Sequence, residues 1–223
     1  MKSHIFLFLC LCFSLSVFGQ KRDLSGIYHT KSGKCIKVDG DKLYLIIQQS
    51  HSPVWYNDTL AKCTFKWVDS NFIELNSMSP NIIAYEGLKV IQTLASTIKD
   101  SIKVSFSIPH QSNLKISVYT NTFKTFDLIY SKNSRELMLP SNIKTISFAI
   151  KPEHTISHTS DGLFYGIVGF DSMQEYQIEK EVNHISIELP AINDSFFEMY
   201  YVKDEYAKVS RNKIEWKGEV FIK

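Results

Sequence analysis

Alternation of apolar and polar residues with a period of two runs along most of the chain and constrains its fold more than any other feature. It is clearest in Ile102-Lys-Val-Ser-Phe-Ser-Ile108 and in Leu114-Lys-Ile-Ser-Val-Tyr119. Because successive side chains of a β-strand point to opposite faces, this period is that of a half-buried strand. Strands of this kind are typical of antiparallel sheets with one face on a core and the other in water. The sequence therefore predicts an all-β protein.

The first part of the chain reads as a small β unit, which we place at residues 20–80. Its predicted strands are 25–29, 34–38, 42–48, 60–68 and 71–76. Gly40 lies between the second and third of these strands, and glycine supplies the positive φ that a tight hairpin turn needs. Such a set of strands is enough for a small antiparallel sheet or a partly closed barrel.

A second series of strands predicts a β-sandwich at residues 100–223, after a connecting segment at 81–99 that is richer in turn residues. Its predicted strands are 102–108, 114–119, 123–130, 143–150, 163–170, 184–189, 196–202 and 214–222. Several strands separated by turn signals at regular spacing are typical of a sandwich. We expect the last strand to be pinned in this sandwich, so that removal of residues 214–223 unfolds the second unit.

The aromatic run Phe196-Phe-Glu-Met-Tyr-Tyr201 carries aromatic residues on both faces of its predicted strand. Such a strand is typical of the centre of a sandwich, because aromatic side chains dominate core burial. An exposed aromatic platform for a sugar or a peptide is the alternative. We favour burial in the core.

The first 19 residues contain the three parts of a secretory signal. Lys2 is followed by an apolar run over residues 5–18, and Gly19 precedes a polar stretch that begins at Gln20. The apolar run is shorter than the roughly 20 residues that a membrane-spanning helix needs. We therefore expect a cleavable signal peptide at 1–19, a mature chain without a transmembrane segment, and a secreted or periplasmic location in the cell envelope.

Composition and charge exclude two classes of protein. The formal net charge is only +2, and basic and acidic residues are interleaved along the chain, so no basic face for nucleic acid is indicated. Hydrophobic residues make up 44% of the chain, which is too high for a disordered protein. The chain is long enough to bury one sizeable core or two small ones.

Two cysteines lie beyond the expected signal peptide, Cys35 and Cys63, and each is in a strand-like run. In an oxidising compartment they either pair as a disulfide or remain two separate buried thiols. The sequence leaves both alternatives open, because a disulfide needs a Cα separation of about 4.4–6.8 Å. A metal site is disfavoured, since neither cysteine is part of a CxxC pair.

Motifs for catalysis, cofactors or metals do not emerge, so we assign no catalytic, cofactor-binding or metal-binding residue. A GxSxG nucleophile motif and a phosphate-binding loop are both missing from the sequence. His154 and His158 have the i, i+4 spacing of zinc ligands, but Pro152 precedes them and a polar loop is the better interpretation. Trp55 and Tyr56, in a loop-like stretch, are the candidates for an exposed binding surface.

Two stretches carry a resemblance to a group of proteins. Leu24-Ser-Gly-Ile-Tyr28 opens the first unit, and Asn71-Phe-Ile-Glu-Leu-Asn-Ser77 ends it. Together with the final Ile214-Glu-Trp-Lys-Gly218, they resemble small secreted two-unit β proteins of Bacteroidota-type bacteria, whose first unit is loosely lipocalin-like. Residues 100–152 resemble prealbumin-like or Ig-like sandwiches. The resemblance implies export and β architecture, and it carries no catalytic residue.

The same resemblance implies candidate glycosylation sites. Thr59, Ser101 and Ser172 each follow an aspartate and precede an apolar residue, which resembles the O-glycosylation acceptor pattern of those bacteria. In a eukaryotic interpretation, Asn57 and Asn193 are N-glycosylation acceptors instead. The intact mass of natively expressed protein distinguishes the two.

Three functional hypotheses remain. The first is a non-enzymatic cell-envelope protein with a binding or structural role, whose partner is another envelope protein or a glycan. The second is a carrier that holds a small apolar ligand inside a closed barrel. The third is a secreted glycan or peptide hydrolase with a carboxylate pair, drawn from scattered acids of the later chain (Glu179, Glu181, Glu188, Glu198, Asp204 and Glu205).

Overall fold

A computed structural model describes residues 22–47, 59–153 and 169–223. The protein is nearly all β, with a closed antiparallel barrel and further sheets, so the expected fold class is confirmed. The expected signal peptide at 1–19, the candidate surface residues Trp55 and Tyr56, and the histidines at 154 and 158 lie outside the described residues. Within the described residues, no helix is long and apolar enough to cross a membrane.

The barrel combines strands from the beginning and the end of the chain. Five come from the first part: β1 (Gly26–His29), β2 (Lys34–Asp39), β3 (Lys42–Ile47), β4 (Thr59–Trp67) and β5 (Phe72–Ser77). Three come from the end: β15 (Glu205–Ser210), β16 (Lys213–Trp216) and β17 (Glu219–Ile222). The order around the barrel is β1-β17-β16-β15-β5-β4-β3-β2, so it is an up-and-down barrel with a long insertion between β5 and β15.

The assignment of residues 214–222 to the sandwich is therefore not what the structure shows. β17 pairs with β1 through His29 and Ile222, and β15 pairs with β5 along Glu205–Lys208. Without β15, β16 and β17, the strands β1 and β5 would each have an unpaired edge. Closure of the barrel removes both edges. Alternation revealed that the last strands have a buried face, but it did not reveal the core on which that face packs.

The barrel interior is filled by inward-facing apolar side chains. They form one contiguous buried cluster that includes Tyr28, Ile36, Leu43, Leu75, Ile214, Trp216 and Phe221. The hairpin predicted at Gly40 is present between β2 and β3, and this glycine has a φ of 61°. In this region the sequence-based strand boundaries agree with the structure to within one residue.

The insertion begins with a short helix, α1 (Pro80–Ala84), and continues as two facing sheets. The first sheet has the order β10-β7-β14-β6, with β6 (Lys89–Thr93), β7 (Ser101–Ser107), β10 (Glu136–Pro140) and β14 (His184–Glu188). The second has the order β12-β11-β8-β9, with β8 (Leu114–Thr120), β9 (Thr125–Tyr130), β11 (Thr145–Pro152) and β12 (Phe170–Asp171); β13 (Tyr176–Gln177) also pairs with β11. One core joins the sheets, where the rings of Phe106 and Phe148 meet edge to face at 5.7 Å.

The first two rings of the aromatic run at 196–201 pack in the sandwich core, but the run does not form a strand. Phe196 and Phe197 are buried, and their rings meet edge to face at 5.0 Å. The backbone makes consecutive turns instead, with the N–H of Phe196 donating to the carbonyl of Asn193. The Asn193 side chain also accepts from the N–H of Ser195, and asparagine favours a turn by this kind of local bond. The predicted burial of these two rings is confirmed, and the predicted strand is wrong.

Candidate functional site

A cleft formed by described residues lies between the barrel and the segments that connect it to the sandwich; we call it the inter-unit cleft. Its volume is about 560 Å³, within the range of about 300–1,000 Å³ that is usual for small-molecule sites. It is lined by Lys42, Tyr44, Lys62, Cys63, Thr64, Asn76, Ser77, Met78, Ile83, Met199 and Tyr201.

One wall of the cleft is the outer surface of three adjacent barrel strands. On β3 and β4, Lys42 pairs with Thr64 and Tyr44 pairs with Lys62, while the intervening residues face the barrel core. Asn76 of β5 continues the first of these rows, because it pairs with Thr64. The two lysines are diagonal neighbours, and such pairs have backbone positions about 7–8 Å apart. Both ammonium groups can therefore reach one anionic group of a bound molecule.

The electrostatics of this wall favour an anion. Among the described residues, neither Lys42 nor Lys62 forms a salt bridge, and the residues that line the cleft include no aspartate or glutamate. The carboxylate of Glu74, which is not among the lining residues, accepts from the side-chain amide of Asn76 at 2.7 Å. Two positive charges on one wall raise the local concentration of anions.

A second, apolar wall of the cleft comes from the connections between the barrel and the sandwich. Met78 follows β5, Ile83 belongs to α1, and Met199 lies in the segment that returns to the barrel. Tyr201 completes this wall, and its orientation is fixed because its hydroxyl donates to the carbonyl of Phe196 at 3.0 Å. The unbranched methionine side chains allow the wall to adapt to the shape of a ligand.

Hydrogen bonds between the returning segment and the barrel hold the two walls in place. The N–H of Tyr200 donates to the carbonyl of Leu60 at 2.6 Å, and the N–H of Ser77 donates to the carbonyl of Val202 at 2.8 Å. The N–H of Val202 in turn donates to the Ser77 hydroxyl at 3.2 Å. The cleft is therefore preorganised, which lowers the entropy lost when a ligand binds.

Cys63 borders the cleft as a protonated thiol. Its Sγ lies 3.6 Å from the hydroxyl of Ser77, and that hydroxyl also lies within hydrogen-bond distance of the carbonyl of Lys62, at 3.0 Å. Burial raises the pKa of Cys63 to about 11; the Ser77 hydrogen bond opposes this shift and the charge of Glu205 adds to it. Because the thiolate is the reactive form, this cysteine is not an activated nucleophile at neutral pH.

The disulfide between Cys35 and Cys63 is not formed, and both cysteines are buried free thiols. They lie on β2 and β4, with β3 between them, which separates their strands by about 9–10 Å. Cys63 pairs with Leu43 of β3, and Leu43 pairs with Val38 of β2. Val38 is three residues beyond Cys35, so the two cysteines are also displaced along the strand direction. The distance between the Cα atoms of the two cysteines therefore exceeds the range of about 4.4–6.8 Å that a disulfide allows.

Glu205 is the centre of a polar cluster at one end of the barrel. One carboxylate oxygen accepts from the indole N–H of Trp216 at 2.8 Å, and the other accepts from the hydroxyl of Tyr200. The ammonium of Lys217 lies 3.4 Å from the same carboxylate and 4.2 Å from the centre of the Tyr200 ring. Because donors occupy both oxygens, we interpret this carboxylate as a link between β15, the β16–β17 turn and the returning segment.

The three serine and threonine candidates for glycosylation lie in different environments. Thr59 begins β4 and Ser101 begins β7, and both are half-buried. Ser172 is 0% exposed; its hydroxyl accepts from the N–H of Phe148 and donates to the carbonyl of Gln174, both at 3.1 Å. A glycosyltransferase that acts on the folded protein cannot reach it, so the structure argues against Ser172 as an acceptor.

The residues of the inter-unit cleft were missed in the sequence because each belongs to an ordinary pattern. Lys42, Lys62 and Thr64 are the polar members of alternating strands, which is also the pattern of a solvated sheet face. The apolar wall is contributed by residues more than 120 positions apart, such as Met78 and Met199. No local spacing brings these two segments together.

Comparisons of the chain with protein-family models, with curated proteins and with solved structures found no match. We therefore base the function on the geometry and charge of the inter-unit cleft.

Proposed function

We propose that this protein is a secreted, non-enzymatic cell-envelope protein that binds an anionic ligand in the inter-unit cleft. The supporting observation is a preorganised cleft of about 560 Å³ in which Lys42 and Lys62 share one wall without a carboxylate among the lining residues. Few polar groups placed in an otherwise apolar cavity are typical of sites that bind small molecules.

Binding fits the cleft better than hydrolysis. A glycosidase needs two carboxyl groups about 5–9.5 Å apart at the scissile bond. The lining residues of the inter-unit cleft supply none, and Glu205 already accepts two hydrogen bonds outside it. The thiol of Cys63 is protonated at neutral pH, so it does not offer a covalent alternative.

The inter-unit cleft offers more space for a ligand than the interior of the barrel does. A carrier of the kind considered from the sequence needs space inside the barrel, whereas the inward-facing side chains here form one buried core. Close-packed cores of this kind leave little free volume. A carried ligand would therefore occupy the inter-unit cleft.

Binding can be tested with the fluorescent anion 8-anilinonaphthalene-1-sulfonate, which carries one sulfonate on an aromatic body. We expect the Lys42→Ala/Lys62→Ala double variant to bind it about tenfold more weakly, which corresponds to about 1.4 kcal/mol. Lys66→Ala is the matched control, because Lys66 is an exposed lysine of the same strand β4 outside the cleft. Equal binding by the wild type, the double variant and the control would contradict the proposal.

The proposed export is tested separately. The motivation is the three-part signal at residues 1–19, and the expected mature chain begins at Gln20. Fractionation of the native host, followed by intact-mass measurement of the purified protein, checks both the location and the start of the mature chain. A full-length chain in the cytoplasm would refute export and leave the cleft proposal untouched.

A further inference from the structure

A depression lies on the outer face of the second sandwich sheet; we call it the sheet depression. It is lined by residues of β8 and β11 and by residues 169–171, and none of its lining residues belongs to the inter-unit cleft. Its volume is about 290 Å³, close to the lower limit of the range of about 300–1,000 Å³ that is usual for small-molecule sites. A ligand of this site is therefore small, or it is one unit of a longer chain.

The register of the strands explains why the sheet is hollow at this place. Ala149 of β11 pairs with Asp171 of β12 on one side and with Ser117 of β8 on the other. Directly paired residues point to the same face of a sheet, whereas the next residue, Ile150, faces the sandwich core. Ala149 and Ser117 are small, and Gly169 beside them has no side chain, so these three residues form a low floor.

An exposed aromatic ring borders this floor. Tyr119 follows Ser117 by two residues on β8, so the two side chains share the outer face about 7 Å apart. The Tyr119 side chain is 40% exposed and lines the depression. The face of an aromatic ring is electron-rich and attracts groups with a partial positive charge, such as the C–H groups of a sugar ring. Tyr119 is therefore placed to stack on a flat ligand that rests on the floor.

The charge of Lys115 is already balanced beside the depression. Its ammonium lies 2.8 Å from the carboxylate of Asp127, and the Ser117 hydroxyl donates to the same carboxylate at 2.7 Å. The hydrogen bonds from Lys115 and Ser117 hold the pKa of Asp127 below its usual value, so this carboxylate stays ionised at neutral pH. Lys115 is therefore committed to Asp127, and two charged residues of the lining remain to be matched by a ligand.

These two residues are Lys151 and Asp171, and they have opposite charges. Asp171 pairs with Ala149, and Lys151 is two residues beyond Ala149, so the two are diagonal neighbours with backbone positions about 7–8 Å apart. Among the described residues, neither forms a salt bridge. An anion would be attracted by Lys151 and repelled by Asp171, and a cation the reverse. A hydroxyl group both donates and accepts hydrogen bonds, so a neutral ligand with several hydroxyls matches both residues.

We propose that the sheet depression binds a neutral saccharide, with one sugar ring stacked on Tyr119 and its hydroxyls bonded to Lys151 and Asp171. The supporting observation is the combination of a small-residue floor, an exposed ring and one unpaired charge of each sign on the same face. This site adds a second class of ligand to the anion of the inter-unit cleft. It is independent of that proposal, because the cleft and the depression share no residue.

Isothermal titration calorimetry with four neutral oligosaccharides tests the proposal: maltohexaose, cellohexaose, mannohexaose and xylohexaose. We expect at least one of them to bind, with the same affinity in low and high salt, because a neutral ligand forms no ion pair that salt would screen. Tyr119→Ala should weaken this binding about tenfold, whereas Tyr119→Phe should retain most of it because the ring remains. Tyr206→Ala is the matched control, since Tyr206 is 58% exposed on β15 of the barrel.

The floor has its own matched pair of variants. Ala149→Leu should fill the depression and weaken saccharide binding at least about tenfold. Ser186→Leu is the control, because Ser186 is a small outward-facing residue on β14, a central strand of the other sandwich sheet. Both positions face outwards, so neither change should unfold the protein, and urea denaturation checks this for each variant.

Each outcome bears on the proposal. If none of the four oligosaccharides binds, the proposal is refuted. If one binds but is insensitive to both Tyr119→Ala and Ala149→Leu, it binds elsewhere and the assignment to the sheet depression is refuted. Binding that weakens as salt rises would show a charged ligand class and would also refute the proposal. The Lys42→Ala/Lys62→Ala variant should bind the saccharide as the wild type does, so the anion site is tested separately.

Discussion

Replacement of Phe221 by alanine tests whether the end of the chain completes the barrel. Phe221 lies on β17, is 1% exposed and belongs to the buried barrel cluster, opposite Ile214 of β16. Truncation of a fully buried phenylalanine to alanine costs about 3–5 kcal/mol, through lost apolar burial and the cavity left behind. With a urea m-value of about 2 kcal/mol per M, the unfolding midpoint should fall by about 1.5–2.5 M.

Tryptophan fluorescence during urea titration is the appropriate assay. Trp67 and Trp216, the tryptophans among the described residues, both pack in the barrel, so the signal reports barrel unfolding. Val220→Ala is the matched control, because Val220 is on the same strand but 42% exposed, and its change should cost no more than about 0.5 kcal/mol. A midpoint for Phe221→Ala within about 0.5 M of the control would refute the placement of β17 in the barrel core.

Three other substitutions probe separate parts of the structure. Ser77→Ala should lower the free energy of unfolding by about 1–3 kcal/mol in urea titration, because the N–H of Val202 loses its acceptor. Tyr130→Phe should lower the free energy of unfolding by a similar amount. The buried hydroxyl donates to the carbonyl of Ile108 at 2.9 Å and accepts from the N–H of Ile108 at 3.0 Å, and the variant loses both bonds. For Cys63, the pKa is raised from 9.0 to about 11 in the folded state. As pH rises, the Cys63 thiol therefore loses its proton in the unfolded state before it does so in the folded state. The free energy of unfolding should fall between about pH 9 and 11, and it should fall less in the Cys63→Ala variant.

Each of these has a control and a contrary result. Tyr119→Phe removes a hydroxyl from a side chain that is 40% exposed, and it should leave stability unchanged. A Tyr130→Phe variant as stable as this control would show that the backbone of Ile108 finds other partners. Equal alkaline destabilisation of wild type and Cys63→Ala would show that the thiol does not carry the pH dependence. A Ser77→Ala variant with an unchanged midpoint would show that water replaces the hydroxyl.

Elements that depend on local pattern could be predicted from the amino-acid sequence. Period-two alternation placed most strands, and Gly40 marked a hairpin because its turn requires a positive φ. The same reasoning failed at 196–202, where local bonds from Asn193 competed with strand formation. It also missed β10 and β15, in which the exposed positions include the large apolar side chains of Met138 and Tyr206.

Long-range contacts determine which strands share a sheet and which side chains meet. Alternation states that a strand has one buried face, but β15–β17 could cover either core until closure of the barrel removed the free edges of β1 and β5. The same long-range pairing keeps Cys35 and Cys63 apart on β2 and β4. It also brings Met199 and Lys62 into the lining of the same inter-unit cleft. These contacts join segments far apart in the chain, so their energies depend on the whole fold and leave no local signal in the sequence.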